Sequence, residues 1–279
     1  MVSKENSKQQ SGSTTHKGQA DYAVTAMFYD QLYAEQSALD LPLYRELAAS
    51  ANGSVLELGC GTGRVALALA REGHNVVALD NSQPMLEQFK SNLSRESEGV
   101  HSRVKLIEGS MVNFNLSQRF GLILAPFRAF QHLLTADEQR QCLMTVAQHL
   151  TPGGTYVHNV FNPNLEYIVK AMQAAPTWQQ VSEHALPEKQ GIVRRYVQLQ
   201  PQPGRQQHEI CWKYEVYDYR GVLQQTSVDK MALRWQYRWE AEYLLELCGL
   251  EISKAYGGYD KRQLDENASE LIYLCHYRI

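Results

Sequence analysis

Three glycines alternate in the run Val55-Leu-Glu-Leu-Gly59-Cys60-Gly61-Thr-Gly63-Arg64, directly behind an apolar strand and ahead of a helical pattern. Glycines so placed let the main chain turn tightly and leave room for a ligand against the backbone and the helix amino terminus. The spacing is GxGxG. A dinucleotide fingerprint wants GxGxxG, and Arg64 stands where its third glycine would pack. Asp80 closes the next apolar run, Val76-Val-Ala-Leu-Asp80, 21 residues after Gly59. A carboxylate there is placed to accept both hydroxyls of a ribose, and it repels a 2′-phosphate, which disfavours an NADP-type ligand. Glu57 lies inside the first strand, where a buried carboxylate needs the loop amides or a cationic ligand group as partners.

A second set of chemistry-bearing residues follows the fourth apolar run. Ala125-Pro-Phe127-Arg128-Ala-Phe-Gln-His132 holds a guanidinium, which can clamp a carboxylate or phosphate with two parallel donors. It also holds an imidazole able to accept a proton near neutral pH. Arg128 stands four residues before His132, so a helical segment would present both on one face. Near the amino terminus Tyr22, Tyr29 and Tyr33 form an aromatic series, suited to walling a site or to packing on a sheet. Much later, strand alternation puts Trp212, Tyr214 and Val216 on one face and Lys213, Glu215 and Tyr217 on the other. Such an aromatic face serves a pocket for a ring-bearing acceptor or an interface with a second copy, giving a homodimer.

The elements that position these residues alternate. Strands are expected at Ser54–Leu58, Asn75–Leu79, Val104–Glu108, Gly121–Leu124 and Thr155–Val160. Helices are expected between them at Arg64–Arg71, at Pro84–Leu93 behind Ser82 as cap, and at Thr135–Leu150. Upstream, two helices fill Asp21–Ser50, the second starting near Pro42 with Asp40 as its cap. This alternation builds a mainly parallel sheet covered on both faces, with ligands at the rim of strand carboxyl ends. The rhythm then changes. Residues 162–190 read as loop around a helical piece at Leu165–Met172, and Ile192–Leu199, His208–Asp218 and Thr226–Trp239 read as long antiparallel strands. A helix at Ala241–Cys248 and strands at Glu251–Tyr256 and Leu271–Tyr277 return to the first sheet. The expected organisation is a disordered polar tail at 1–18, lid helices at 19–50 and a cofactor-binding α/β core at 51–161. An inserted β region for substrate or oligomerisation spans 162–238, and 239–279 completes the core.

Composition narrows the function classes. The 279 residues carry 27 Lys and Arg against 30 Asp and Glu, a formal net charge of −3, which argues against a nucleic-acid partner. No apolar run is long enough for a membrane span and no signal core opens the chain, so a soluble, cytoplasmic protein is expected. The five cysteines, Cys60, Cys142, Cys211, Cys248 and Cys275, are widely spaced without zinc-ligand spacing, so neither a disulfide framework nor a metal site is expected.

As a set, these motifs resemble those of the class I S-adenosylmethionine-dependent methyltransferases. Leu56-Glu-Leu-Gly-Cys-Gly-Thr-Gly-Arg64 resembles that family's first motif, and Asp80 with Asn81, Ser82 and Met85 its second. Glu108-Gly-Ser110-Met111 is similar to the motif beside the adenine, with Ser110 where the family usually carries an acid. Ala125-Pro-Phe127-Arg128 sits where the family lines the methyl-transfer site, and Leu150-Thr-Pro-Gly-Gly154 resembles the turn into the fifth strand.

The resemblance implies a Rossmann-like seven-stranded sheet in the order 3-2-1-4-5-7-6, the last strand antiparallel, with S-adenosyl-L-methionine as cofactor. Gly59, Gly61 and Gly63 would face the methionine part, and Glu57 its amino group. Asp80 would face the ribose hydroxyls and Met85, Ser110 and Met111 the adenine, while Tyr22, Cys60, Arg64, Asn81 and Ala125 would complete the cofactor site. Tyr29-Asp-Gln-Leu-Tyr33 and the β-rich insertion are similar to sugar-amine and glycine N-methyltransferases, whose first helix closes over the cofactor. That likeness implies that Tyr22, Tyr29 and Tyr33 help wall the active site. With the residues read above, Tyr22, Tyr29 and His132 are expected at the reacting atoms, and Tyr33, Phe127, Arg128, His132, Trp212 and Tyr214 around a small-molecule acceptor. In-line transfer to an amine nitrogen is the expected reaction. O- or C-methylation of a small aromatic or carboxylate metabolite is the alternative. An NAD-dependent oxidoreductase is disfavoured by the glycine spacing and the absence of a Tyr-xxx-Lys relay, and a non-catalytic cofactor scaffold is the remaining reading.

Overall fold

The computed structural model describes residues 22–186 and 191–278, so the polar tail at 1–18 lies outside the described residues. Strands β1 (Val55–Leu58), β2 (Val76–Asp80), β3 (Val104–Glu108), β4 (Phe120–Leu124) and β5 (Leu150–Phe161) run parallel to one another. With β10 (Leu250–Tyr256) and β11 (Glu270–Tyr277) they form one sheet in the order β3-β2-β1-β4-β5-β11-β10. β11 runs antiparallel to both β5 and β10, which is the sheet that the resemblance implies. β1 and β4 are buried at every position, as expected of central strands covered on both faces.

One face packs against α6 (Ala136–His149) and α8 (Arg238–Leu247), through Leu143, Val146, Ala241 and Leu245. The other packs against α2 (Ala34–Ser50), α3 (Arg64–Arg71) and α4 (Gln83–Leu93), through Leu43, Tyr44, Leu69 and Phe89. Each fully buried Leu, Val or Phe among them contributes about 1.5–3 kcal/mol from removal of apolar surface from water. Thr135 starts α6 with a reciprocal cap: its Oγ1 accepts the Glu138 N–H at 3.2 Å, and Glu138 Oε2 accepts the Thr135 N–H at 2.9 Å. Between β2 and β3 the chain also makes a one-turn helix, α5 (Glu98–His101), that no sequence pattern announced.

The insertion is a second, antiparallel sheet in the order β6-β7-β8-β9, comprising Gln179–Ala185, Ile192–Gln202, Gln207–Tyr217 and Leu223–Arg234. It follows α7 (Leu165–Gln173). Three expectations need correction. β6 occupies a stretch read as loop, because Gln-Gln-Val-Ser-Glu-His-Ala has little apolar alternation and gains its strand from pairing with β7. β9 ends at Arg234 rather than Trp239, since α8 already begins at Arg238. Asp40 is no cap: α2 runs through Pro42, and Asp40 sits inside it as the buried partner of Arg64.

Helix α1 (Thr25–Leu32) lacks a cap from its own flanking side chains. Asp229 on β9 supplies it, its Oδ2 accepting both the Thr25 N–H and the Thr25 Oγ1–H at 2.6 Å. Tyr214 on β8 completes the knot, its hydroxyl 2.7 Å from Thr25 Oγ1. The first helix among the described residues is thus held by the inserted sheet.

Candidate active site

The loop from β1 to α3 is left-handed at each glycine, with φ of +69° at Gly59, +55° at Gly61 and +90° at Gly63. A Cβ at Gly59 would stand 2.7 Å from Ala129 Cβ, and one at Gly63 2.5 Å from the Phe89 ring. Around Gly61 the same position is open, so a ligand can approach the main chain there. Asp80 fixes this loop: Oδ2 accepts the Gly61 N–H and Oδ1 the Ser82 N–H, each at 2.8 Å. Ser82 precedes α4 but makes no side-chain cap, contrary to expectation. Burial pushes the Asp80 carboxyl up, while the backbone N–H groups of Ser82, Gly61 and Asn81 pull it back toward the ionised form. Ser110 Oγ accepts the Val112 N–H at 3.2 Å, which leaves its hydroxyl proton free to donate.

Glu57 is 3% exposed at the base of the loop, and its Oε2 has no partner among the described residues. Burial pushes its carboxyl up to about 8, against the opposing effects of Arg64 and the Ala66 N–H. The folded state thus holds this proton more tightly than the unfolded chain. The associated stability is full below the ordinary value of 4.5 and is lost as pH rises through about 8. A cationic ligand group beside Glu57 reverses the preference and expels the proton. Affinity for an ammonium-bearing ligand should therefore rise as pH climbs toward about 8, with proton release measurable by calorimetry in buffers of different ionisation enthalpy. Glu57→Gln should flatten both. Wild-type binding without proton uptake or release near neutrality would place Glu57 away from the cation.

At the end of β4, Phe127 and Arg128 adopt φ of +50° and +66°, two consecutive non-glycine residues in the left-handed region. Each costs on the order of 1–3 kcal/mol, and such strain gathers at functional sites. The following residues, Ala129–His132, form a 3₁₀ turn rather than an α-helix, so Arg128 and His132 do not share the helical face expected of them. Arg128 pairs with Glu270, whose other oxygen accepts from Asn159 Nδ2 at 3.0 Å. The anchor expected for an anionic acceptor thus already has a protein carboxylate neutralising it. His132 Nε2 instead lies 2.8 Å from the Tyr22 hydroxyl. Burial pushes the imidazole down to about 4, and burial with the neighbouring Tyr29 pushes the Tyr22 phenol up, so both are neutral near pH 7.

These elements enclose one continuous cavity of about 1530 Å³, larger than the ~300–1,000 Å³ usual for one small ligand. Its first lobe gathers Glu57, Gly59, Cys60, Gly61, Arg64, Asp80, Asn81, Met85, Ser110 and Met111. Tyr22, Tyr29, Tyr33, Phe127, Arg128 and His132 line the junction, and Trp212 lies in the second lobe against β7, β8 and β9. Three expected residues do not line it. Gly63 is backed by Phe89, Ala125 is buried in the core behind the loop, and Tyr214 points under α1 to Thr25. Arg64 reaches the cavity with both terminal nitrogens bonded to Asp40 at 2.6 Å. Sequence reasoning passed over Arg195 and His208, which line the second lobe. The available signal was the pair Arg194-Arg195 in a strand, since alternation must turn one of them inward.

Comparison with known proteins agrees with this architecture. Residues 55–154 match a family described as a methyltransferase domain. The chain is 35% identical over 102 residues to the cypemycin N-terminal methyltransferase of a Streptomyces species, covering 36% of this chain and 39% of that protein. It is 27% identical over 125 residues to a dTDP-3-amino-3,4,6-trideoxy-alpha-D-glucopyranose N,N-dimethyltransferase of Streptomyces venezuelae, covering 45% and 49% respectively. The alignments thus span about two-fifths to half of these curated relatives. Among solved structures, the CcbJ methyltransferase of Streptomyces caelestis superposes with a TM-score of 0.67 at 25% identity, over 86% of this chain and 88% of that one. Residues 55–154, with the glycine loop, are thus similar to a methyltransferase domain, and the fold is similar to that of a solved methyltransferase.

Proposed function

We propose that this protein transfers a methyl group from S-adenosylmethionine to an amine nitrogen of a small molecule. The observation that carries the reading is the single cavity joining the glycine loop and Asp80 to a second, largely apolar lobe, with the neutral Tyr22–His132 pair at the junction. The residues fit the cofactor. Gly61 leaves an open cradle, Asp80 stands for the ribose hydroxyls, and the unpartnered Glu57 oxygen suits the amino group. Met85 and Met111 offer soft apolar surface for the adenine. The names of two relatives, an N-terminal methyltransferase and an amino-sugar N,N-dimethyltransferase, support nitrogen as acceptor atom. The net charge of −3 supports a small molecule over a nucleic acid.

Bound S-adenosylmethionine supplies a methyl group activated by its sulfonium charge. The protein's task is then alignment, worth on the order of 7 kcal/mol or more of the barrier. The walls around Tyr22, Tyr29 and His132 are buried and neutral, so they admit an amine more readily than an ammonium and keep its lone pair available. With His132 Nε2 unprotonated, the Tyr22 hydroxyl donates to it and turns its own oxygen lone pairs to an amine N–H. Calorimetric titration should give micromolar binding of S-adenosylmethionine and S-adenosylhomocysteine and none comparable for NAD. A labelled-methyl screen should then favour amines over phenols and carboxylates. Tighter binding of NAD, or methyl transfer to oxygen alone, would sink the reading.

A further inference from the structure

Arg195 sits on β7, 6% exposed, and faces the cavity beside the junction of its two lobes. Its guanidinium carbon lies 3.5 Å from the centroid of the Trp212 ring and 4.9 Å from that of Tyr33. One terminal nitrogen donates to the Tyr33 hydroxyl at 2.5 Å, and Nε has no partner. Among the described residues no carboxylate pairs with it. Every comparable arginine near the site has an acid: Arg64 has Asp40, Arg128 has Glu270 and Arg234 has Glu240. Asp229 shares the inward face, but its oxygens accept from Val24 and Thr25 at the start of α1. Arg194, the neighbour in sequence, turns outward to Glu183.

A permanently charged, planar group held between two rings and short of a counter-ion is arranged for an anion that arrives with a ligand. Both rings lie against the guanidinium, its Nε is unpartnered, and a planar guanidinium can offer two parallel bonds to a carboxylate or phosphate. Beyond it, Val197, Leu199, Ile210, Met231 and Leu233 continue an apolar wall. We propose that Arg195 is the anchor for an anionic group of the methyl acceptor, and that the acceptor is an amine carrying a carboxylate or phosphate on an apolar body. This rests on the reading of the cavity as a methyl-transfer site.

The test uses the full chain saturated with S-adenosylhomocysteine, with acetate and inorganic phosphate as probes at constant ionic strength against chloride. Thermal midpoints should rise with one or both probes, following ligand mass action. Arg195→Gln should lose that rise, and Arg195→Lys, which keeps the charge but not the fork, should need about tenfold more anion. Both variants should bind S-adenosylhomocysteine within about threefold of wild type. A rise with phosphate alone assigns a phosphorylated acceptor, and one with acetate alone a carboxylic acid. No anion-specific rise in the wild type, or an equal rise in both variants, overturns the proposal. So does a tenfold or greater loss of S-adenosylhomocysteine affinity in Arg195→Lys, because the anion would then be the cofactor's own carboxylate. Failure of the wild type to bind S-adenosylhomocysteine at all would instead remove the underlying reading, and the two failures are seen in separate measurements.

Discussion

Replacing Asp80 with alanine should weaken binding of S-adenosylmethionine and S-adenosylhomocysteine by about 2–3 kcal/mol, or roughly 30- to 150-fold. The carboxylate has two roles at the same place. Facing the cavity it can accept ribose hydroxyls, and it holds the Gly61 and Ser82 N–H groups that shape the loop. Alanine removes both, whereas asparagine keeps one oxygen for one backbone N–H and no charge, so Asp80→Asn should fall between. The site lies at a strand end on the rim, so the fold should survive in both variants. Calorimetry gives the affinities, and a thermal melt separates loss of the site from loss of the fold. An unchanged dissociation constant in folded Asp80→Ala would take the residue out of the cofactor site.

The largest effect on stability should come from Asp40→Ala. Asp40 is fully buried in α2 and receives both terminal nitrogens of Arg64, the first residue of α3. Removing the acid leaves a mostly buried guanidinium without this partner, a loss of about 3–5 kcal/mol. In a chain of this size that lowers the melting midpoint by about 10 °C. Removing both charges together should cost less than removing one, since much of the penalty is the uncompensated charge rather than the lost bond. Asp40→Ala/Arg64→Met should therefore melt above Asp40→Ala. Additive losses across the cycle would mean that the pair is not coupled.

The parallel core was legible because its signals are local. Four consecutive buried positions in β1, three alternating glycines and a terminal Asp80 sit within one stretch of chain, and the helix period between strands leaves little choice of topology. What escaped were features made by partners far apart in sequence. Asp40 ahead of a proline looks like a cap until Arg64 is brought beside it. α1 has no capping residue of its own because Asp229, more than 200 positions away, does that work. β6 lacks an apolar alternation and exists through β7. Arg194 and Arg195 are indistinguishable until pairing register turns one to Glu183 and the other to Trp212. Trp212 and Tyr214 share a face of β8, and it is Thr25 of α1 that takes the Tyr214 hydroxyl while Trp212 reaches the cavity.

The fastening of α1 to the inserted sheet has a thermodynamic consequence. Tyr22, Tyr29 and Tyr33 lie on or beside one short segment, and all three line the cavity that also holds the glycine loop and Trp212, so the proposed cofactor and acceptor would share that wall. Two ligands that lean on the same wall do not bind independently: free energy spent by the first in seating the segment is not spent again by the second. The coupling must also be mutual, so the factor by which cofactor alters acceptor affinity is the factor by which acceptor alters cofactor affinity. Cutting the fastening at Thr25 or Asp229 should then shrink that shared factor from both directions at once, even though neither side chain lines the cavity.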